Sequence, residues 1–481
     1  MNPDSLRSVY FLGIGGIGMS ALARYFAMKG VKVSGYDRTP SSLTEKLSSE
    51  GMHIHYSDDL KETPEKIDLV VYTPAIPEDN PGFRHFLEKG IPMKKRAEVL
   101  GMVSSQFKTI AVAGTHGKTT TSTLIAHILK VAKMEPLAFL GGISKNYNTN
   151  FLCPKDHSHL QTHQFPGSTL NNQINPVFHQ PVYCVVEADE YDRSFLQLNP
   201  YIAVITSADA DHLDIYQDHE TLLKTFTQFT SQIVDQGSLV IKLGTGIETV
   251  KKHSFYHYSY ALNQEATFFA KDIHLKDGLL HFTYVTPTET IRNLVLGIPG
   301  MFNLENAVAA LAVGYLLGID KTILSKALRS YQGVQRRFDF RIRRKDLIFI
   351  DDYAHHPEEL RACIRAAKEL YPDKKITGVF QPHLFSRTRD LADAFARSLE
   401  LLDELILLEI YPAREKPIRG VNSKMLLDRV NLKKKKLLAK EQLLGEITRN
   451  IPEVLLTLGA GDIDEMVQPI VMAFTDKEAG E

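Results

Sequence analysis

Two rhythms of apolar and polar positions alternate along the chain. Short β-branched and apolar runs are followed by longer stretches with apolar residues three and four apart, the mark of parallel-sheet α/β domains. Three rounds are predicted. The first has a strand at Val9–Leu12, glycine punctuation, a helix over Met19–Lys29, a strand at Val31–Tyr36, and further strands at Ile67–Tyr72 and near Ile91–Met93. The second has a strand at Thr109–Ala113, a helix over Thr119–Val131, strands at Tyr183–Val186 and Ile202–Ile205, and a closing helix over Asn303–Leu317. The third follows Gly333 with strands at Leu347–Ile350, Ile376–Phe380, Glu404–Leu408 and Val454–Leu458. This predicts α/β domains at 1–105, 106–333 and 334–481. Residues 145–181, rich in Asn, His, Gln and Pro with weak periodicity, read as a surface insertion in the second domain. The basic run Lys433–Lys436 reads as the solvated start of a helix.

A length of 481 residues agrees with about three domains. Lys and Arg total 56 against 57 for Asp and Glu, so the basic field of a nucleic-acid binder is missing. No apolar run reaches the ~18 residues of a membrane span, and the first residues lack a secretion pattern. The expectation is a cytoplasmic protein with no nucleic-acid or membrane partner, monomer or homodimer. Cys153, Cys184 and Cys363 are odd in number and far apart, which supports neither a disulfide framework nor a zinc site. His157, His159 and His163 lack a ligand spacing and read as loop residues.

Gly13, Gly15, Gly16 and Gly18 follow a strand and open a helix, with Asp37 at the end of the next strand. Glycines permit a tight turn and close approach to phosphate, the helix N-terminus supplies N–H groups, and the carboxylate can accept ribose hydroxyls. Alone, the pattern says dinucleotide, without saying which nucleotide is bound. The run Gly114-Thr115-His116-Gly117-Lys118-Thr119-Thr120 also links a strand to a helix, where backbone N–H groups, the Lys118 ammonium and a Thr hydroxyl suit a triphosphate and Mg²⁺. Val112 takes the place of the first glycine usual in such loops. Glu187-Ala188-Asp189-Glu190-Tyr191-Asp192 ends another strand, where carboxylates can hold Mg²⁺ directly or through water. Asp209-Ala210-Asp211-His212-Leu213-Asp214 reads as further metal ligands or as a capped helix start. The third domain carries Asp351-Asp352-Tyr353-Ala354-His355-His356 and Gln381-Pro382-His383-Leu384-Phe385-Ser386-Arg387 at consecutive strand ends, which suits an anionic ligand or a carboxylate.

Across nearly its whole length the chain resembles the Mur ligase family, the ATP-dependent amide-forming enzymes of peptidoglycan precursor synthesis. The resemblance rests on FLGIGGIGMSALA with GYDR, VVYTPAIPEDNP, GTHGKTTT, EADEYDRSFLQLNP, DADHLDIY, PGMFNLENAVAAL, GVQRRFD, DDYAHHPEE, FQPHLFSRTRDL and LTLGAGDI, in that order. It implies a Rossmann-like N-terminal domain for a UDP-linked substrate, a central P-loop ATPase-like domain with a mixed sheet, and a C-terminal Rossmann-like domain that closes over the site. Among family activities, the glycine motif and QPHLFSRTRDL match best the joining of L-alanine to the lactyl carboxylate of UDP-N-acetylmuramate, in cell-wall biogenesis.

The resemblance further implies that Gly13, Gly15, Gly16, Gly18, Asp37, Thr73 and Asn80 face the UDP group. Gly114 to Thr120, with Asn303, Asn306, Arg337 and Asp351, would bind ATP. Thr119, Glu187 and His212 would hold Mg²⁺, and Lys118, His356 and Arg387 would act in catalysis. Leu384 stands where many such ligases carry Arg, which shifts the carboxylate contact toward Arg387, and Phe302 replaces a common His. ATP would convert the carboxylate into an acyl phosphate, and the amine would then displace phosphate, with His356 as the acid–base candidate. Three rivals stand beside this reading: a family member that attaches a whole tripeptide, an NAD-dependent oxidoreductase read from the glycines alone, and a nucleotide switch without ligation.

Overall fold

The computed structural model describes residues 3–57, 59–155, 181–209, 216, 218–250, 254–413 and 415–475. Its strands form three sheets. The first contains β1 (Ser8–Leu12), β2 (Lys32–Tyr36), β3 (His53–His55), β4 (Leu69–Tyr72) and β5 (Met93–Lys95), all parallel in the order β3-β2-β1-β4-β5. That order reverses direction at β1, which opens a crevice at its C-terminal end. The glycine run lies there, between β1 and helix α1 (Ile17–Met28). Helix α2 (Arg96–Ser104) follows β5 directly.

The second sheet runs from β6 (Lys108–Ala113) through β7 (Leu137–Ser144), β8 (Thr149–Leu152), β9 (Tyr183–Glu187), β10 (Ile202–Ile205), β11 (Ser238–Lys242), β12 (Tyr256–Leu262), β13 (Phe268–Lys276) and β14 (Leu279–Val285) to β15 (Thr290–Leu296). Its order is β15-β14-β13-β12-β11-β10-β6-β9-β7-β8, with antiparallel pairs at both ends, so it is mixed. The central strands β6, β9 and β10 are almost wholly buried, as continuous apolar runs covered on both faces should be. Helix α3 (Lys118–Val131) leaves β6 through the second glycine turn, and α4 (Met301–Leu316) and α5 (Lys321–Ser330) come later in the chain. Apolar side chains of the first two sheets share one core, from Val9 and Phe11 through Tyr25 and Phe139 to Val186 and Phe229. These two sheets lie in one compact unit, Met1–Gly297 with Asn303–Gln332.

The second unit, Ile298–Phe302 with Gly333–Glu481, holds the third sheet. It contains β16 (Asp339–Arg343), β17 (Ile348–Asp352), β18 (Ile376–Phe380), β19 (Glu404–Leu407), β20 (Lys435–Leu437) and β21 (Val454–Leu458), in the order β16-β17-β21-β18-β19-β20. Within this sheet only the β16–β17 pair is antiparallel among the described strands. Helices α6 (Pro357–Leu370) and α7 (Phe385–Asp390) follow β17 and β18. Phe302 packs against Phe338 in this unit, their ring centroids 6.0 Å apart.

Two sequence expectations need correction. The proposed insertion does not begin at 145: residues 145–148 form a turn and 149–152 form β8, because Asn150, Phe151 and Leu152 are buried against neighbouring elements. Residues 156–180 of that segment, with its three histidines, lie outside the described residues. The lysine run is no helix start, since Lys435–Leu437 is the edge strand β20 and the next helix begins at Lys440. Lys434 pairs with Glu404 and Lys436 with Glu446, while Lys435 donates to the carbonyls of Leu427 and Val430. Charged side chains along a sheet edge discourage pairing with a further strand. No helix among the described residues is long and apolar enough to cross a membrane.

Candidate active site

The first glycine turn is closed by its own backbone and by Asp37. The N–H groups of Gly13 and Ile14 donate to the Tyr36 carbonyl, and Gly15 N donates to Asp37 Oδ2 at 2.7 Å. A side chain is excluded at Gly15, where a Cβ would lie 2.7 Å from that same carboxylate oxygen. Gly16 caps α1 without a side chain, so the first helical N–H groups point into the crevice. Thr73 lies beside Gly13, with its methyl 3.0 Å from where a Gly13 Cβ would be. Asn80 uses Oδ1 to cap the helix Pro81–Glu88, accepting from Phe83 N at 3.1 Å. Arg96, at the start of α2, reaches Gly18 and is 3.3 Å from Asp189.

The second glycine turn is built around a buried cation. Gly114 and Gly117 have φ of +133° and +82°, which glycine adopts without strain. A Cβ at Gly114 would meet Thr206 Oγ1 at 2.2 Å, and one at Gly117 would meet Asn306 Oδ1 at 2.3 Å. Asn303 and Asn306 are both buried on α4. Thr115 Oγ1 is 2.9 Å from Ser207 Oγ, which also accepts from His116 N, and Thr206 Oγ1 donates to the His116 carbonyl. The Lys118 ammonium donates to the Gly114 carbonyl at 2.7 Å and to Glu190 Oε1 at 2.9 Å. Burial opposes its charge, but Glu190, Asp189 and Glu187 reverse the effect and hold Lys118 above the ordinary lysine range.

These residues can hold a triphosphate and a hard cation. Glu187 ends β9, whose register pairs it with Val112 just before the turn. Its Oε2 is buried with no hydrogen-bond partner among the described residues, and a Cβ at Gly141 would fall 2.1 Å from it. An unsatisfied buried carboxylate oxygen calls for a cation. Thr119 is buried at the start of α3, a hydroxyl of the type Mg²⁺ accepts. His212, Asp211 and Asp214 lie outside the described residues. Sequence reasoning missed the role of Glu190, although it stands three residues after Glu187 in the same acidic run. Thr206 and Ser207 had no motif to announce them.

The second unit gathers its polar residues at the ends of β17 and β18. Asp351 is buried, accepting from Thr457 Oγ1 at 2.8 Å and lying 3.4 Å from Arg336 Nε; burial raises its pKa. Asp352 accepts from Phe338 N at 2.6 Å and Ala354 N at 2.7 Å, and burial pushes it up to about 6. The guanidinium groups of Arg336 and Arg337 lie 5.1 and 5.0 Å from the Tyr353 ring centroid. His356 is buried at the N-cap of α6, where its Nδ1 accepts from Glu358 N at 3.4 Å. His355, the other histidine of the motif, is pushed down to about 4 by burial, with Arg387 and Arg337 adding to the effect and Glu359 opposing it. Arg387 is half-buried and its guanidinium forms no hydrogen bond or ion pair among the described residues, so it is available to a carboxylate. Leu384, just before α7, has φ +73°, a strained conformation for a side-chain-bearing residue.

Three family models match the chain: "Mur ligase family, catalytic domain" over residues 8–108, "Mur ligase middle domain" over 112–314, and "Mur ligase, glutamate ligase domain" over 336–462. The chain is 46% identical to a UDP-N-acetylmuramate--L-alanine ligase of Parabacteroides distasonis, with 98% of each chain covered. It is also 46% identical to the enzyme of that name from Porphyromonas gingivalis, over 97% of this chain and 98% of the relative. The crystal structure of the UDP-N-acetylmuramate-alanine ligase of Thermotoga maritima superposes with a TM-score of 0.79 at 26% identity, covering 98% of this chain and 99% of that one.

Proposed function

The chain belongs to the Mur ligase family, and from that premise we propose that it joins L-alanine to the lactyl carboxylate of UDP-N-acetylmuramate at the expense of ATP, in the cytoplasm, as a step of peptidoglycan precursor synthesis. The observation that carries this reading is the pair of phosphate-binding turns in one compact unit, since an oxidoreductase needs only the first and a simple ATPase only the second.

The first turn takes the UDP group through the uncapped N-terminus of α1, with Thr73 alongside. Asp37 shapes the loop through Gly15, and Asn80 acts mainly by starting its helix. The second turn takes ATP. Its backbone N–H groups and Lys118 face the phosphates, and Asn303 and Asn306 are assigned to the adenine. Thr119 and Glu187 would hold Mg²⁺, with His212 assigned to a second ion; bound there, Mg²⁺ would withdraw charge from the transferring phosphoryl group. Lys118, kept cationic by Glu190, stabilises that same charge.

Formation of the acyl phosphate makes a good leaving group, and attack by a neutral amine then expels phosphate and leaves an amide. Arg387 is assigned to the amino-acid carboxylate, and Arg337 and Asp351 to ATP. His356 was the acid–base candidate from sequence. It stays the candidate, because the neighbouring His355, held down to about 4 by burial, is too weak a base to take up a proton at physiological pH.

The test is phosphate release by the purified full-length protein with Mg²⁺ and ATP. Release should require UDP-N-acetylmuramate and L-alanine together. Release with neither acceptor would point to a nucleotide switch, and a preference for the tripeptide over L-alanine would move the activity to the other family member.

A further inference from the structure

The hairpin β7–β8 touches both phosphate sites. On its inner strand, Gly141 packs against the carboxylate of Glu187, leaving no room for a side chain. On its outer strand, Asn150 is fully buried and faces the first sheet's helix α1. Its Nδ2 donates to the Ile17 carbonyl at 2.6 Å and to Ser20 Oγ at 2.9 Å, and its Oδ1 accepts from Arg24 Nη1. Ile17 is the first residue of α1 and sits inside the glycine run. Arg24 is fixed in turn by a two-pronged pair with Glu50, at 2.7 and 3.0 Å. Beside this polar knot, Tyr25 of α1 packs on Phe139 of β7 with ring centroids 5.8 Å apart. Lys46 adds a hydrogen bond to the Asn148 carbonyl at 2.5 Å.

An apolar contact alone fixes separation but lets helices slide. A buried amide with both N–H groups and its oxygen engaged fixes direction as well, because any shift leaves polar groups unsatisfied. The partners of Asn150 lie in the first turn of α1 and in Arg24, two turns further along the same helix, so the amide grips the end of the helix that carries the UDP-binding N–H groups.

We propose that Asn150 is a positioning residue that holds the start of α1 in register with Glu187, through one hairpin, and so sets the distance between the nucleotide-sugar and the transferring phosphoryl group. The proposal rests on the roles given above to the two glycine turns. Acyl phosphate formation needs reacting atoms within near-attack range, and small displacements remote from the chemistry are costly.

The test uses the full-length protein with Asn150→Ala, Asn150→Asp and Ser20→Ala. Saturated turnover, separate dissociation constants for UDP-N-acetylmuramate and ATP, and thermal midpoint are measured for each. Asn150→Ala should lower kcat by about ten- to a hundredfold while each nucleotide still binds within about threefold of wild type. Asn150→Asp keeps an acceptor for Arg24 but loses both donors, so it should not restore turnover. Ser20→Ala removes one partner in a helix that tolerates alanine well and should lower kcat by a few-fold; it decides the matter if Asn150→Ala does not fold. Wild-type kcat in a folded variant, full recovery with Asp, or a loss that merely tracks the folded fraction would each overturn the proposal. Failure of the underlying reading is seen separately, as a wild-type protein that releases no phosphate with both acceptors present.

Discussion

The two glycine turns obey the same local grammar and differ in almost everything that surrounds them. Each leaves a buried parallel strand and enters a helix capped by glycine. At the first, the neighbour at the next strand end is Asp37, whose carboxylate is drawn into the loop by Gly15 N. At the second, the first helical residue is Lys118, and an acidic run from the adjacent strand closes on it. A turn of the first kind offers neutral donors and can hold a diphosphate without reacting with it. A turn of the second kind adds a fixed cation where charge moves during phosphoryl transfer. Chemistry is set less by the glycines than by the residue after them and by what ends the next strand.

The sharpest way to break this distinction is to remove the cation. Lys118→Ala should reduce ligation by about a thousandfold or more, with UDP-N-acetylmuramate affinity unchanged by calorimetry. Because that change removes one partner of a buried ion pair, which costs about 3–5 kcal/mol, the double variant Lys118→Ala/Glu190→Gln should fold better and remain inactive. Ligation retained in either variant would put the two turns on an equal footing.

Much of this contrast was legible in the sequence, for a physical reason. Parallel strands buried on both faces must be continuous apolar runs, and glycine at a strand-to-helix turn is required by backbone geometry, so β1, β6, β9 and both turns announced themselves. Contacts made across long sequence separations did not. Asn150 looked like part of a polar insertion because its partners lie more than a hundred residues away. Lys433–Lys436 looked helical because charge shows exposure and not backbone conformation. His356 and His355 are adjacent, and only burial and capping separate them, since His356 caps the start of α6 while His355 lies beside Glu359 and Arg387.

A matched substitution sharpens the comparison with a smaller effect. At Gly117 the φ of +82° and the closeness of Asn306 make alanine both strained and obstructed. Gly117→Ala should therefore raise the ATP KM and lower kcat together, by about a hundredfold in kcat/KM. At Gly15 the backbone is ordinary and the obstruction is the Asp37 carboxylate with the Thr44 methyl. Gly15→Ala should raise KM for UDP-N-acetylmuramate about tenfold and leave ATP affinity alone. Steady-state kinetics with each substrate varied in turn reads both. Cross-over of the two effects would mean that the turns had been assigned to the wrong nucleotides.

The smallest difference lies behind the turns, in their helices. Helix α1 contains no histidine, whereas α3 carries His127, buried between Tyr147 of the β7–β8 turn and Ser330 of α5, at 2.8 and 2.9 Å. Burial pushes His127 down to about 4, with the Ala327 carbonyl opposing. Between that value and the ordinary histidine range near 6.5 the unfolded chain binds the proton and the folded chain does not. The stability that depends on a neutral His127 is thus full above about pH 6.5 and is lost as pH falls toward 4. From pH 7 to 5 this amounts to about 1–2 kcal/mol. His355 loses stability in the same direction, while Asp352, raised by burial to about 6, and Asp351, also raised by burial, gain it on acidification, so the whole-protein slope mixes several groups. Denaturant unfolding of wild type and His127→Gln at both pH values isolates His127, because the other groups are common to both proteins. The variant should be less stable at pH 7 and show a shallower fall at pH 5, and an identical slope would remove His127 as an acid-sensitive anchor of α3.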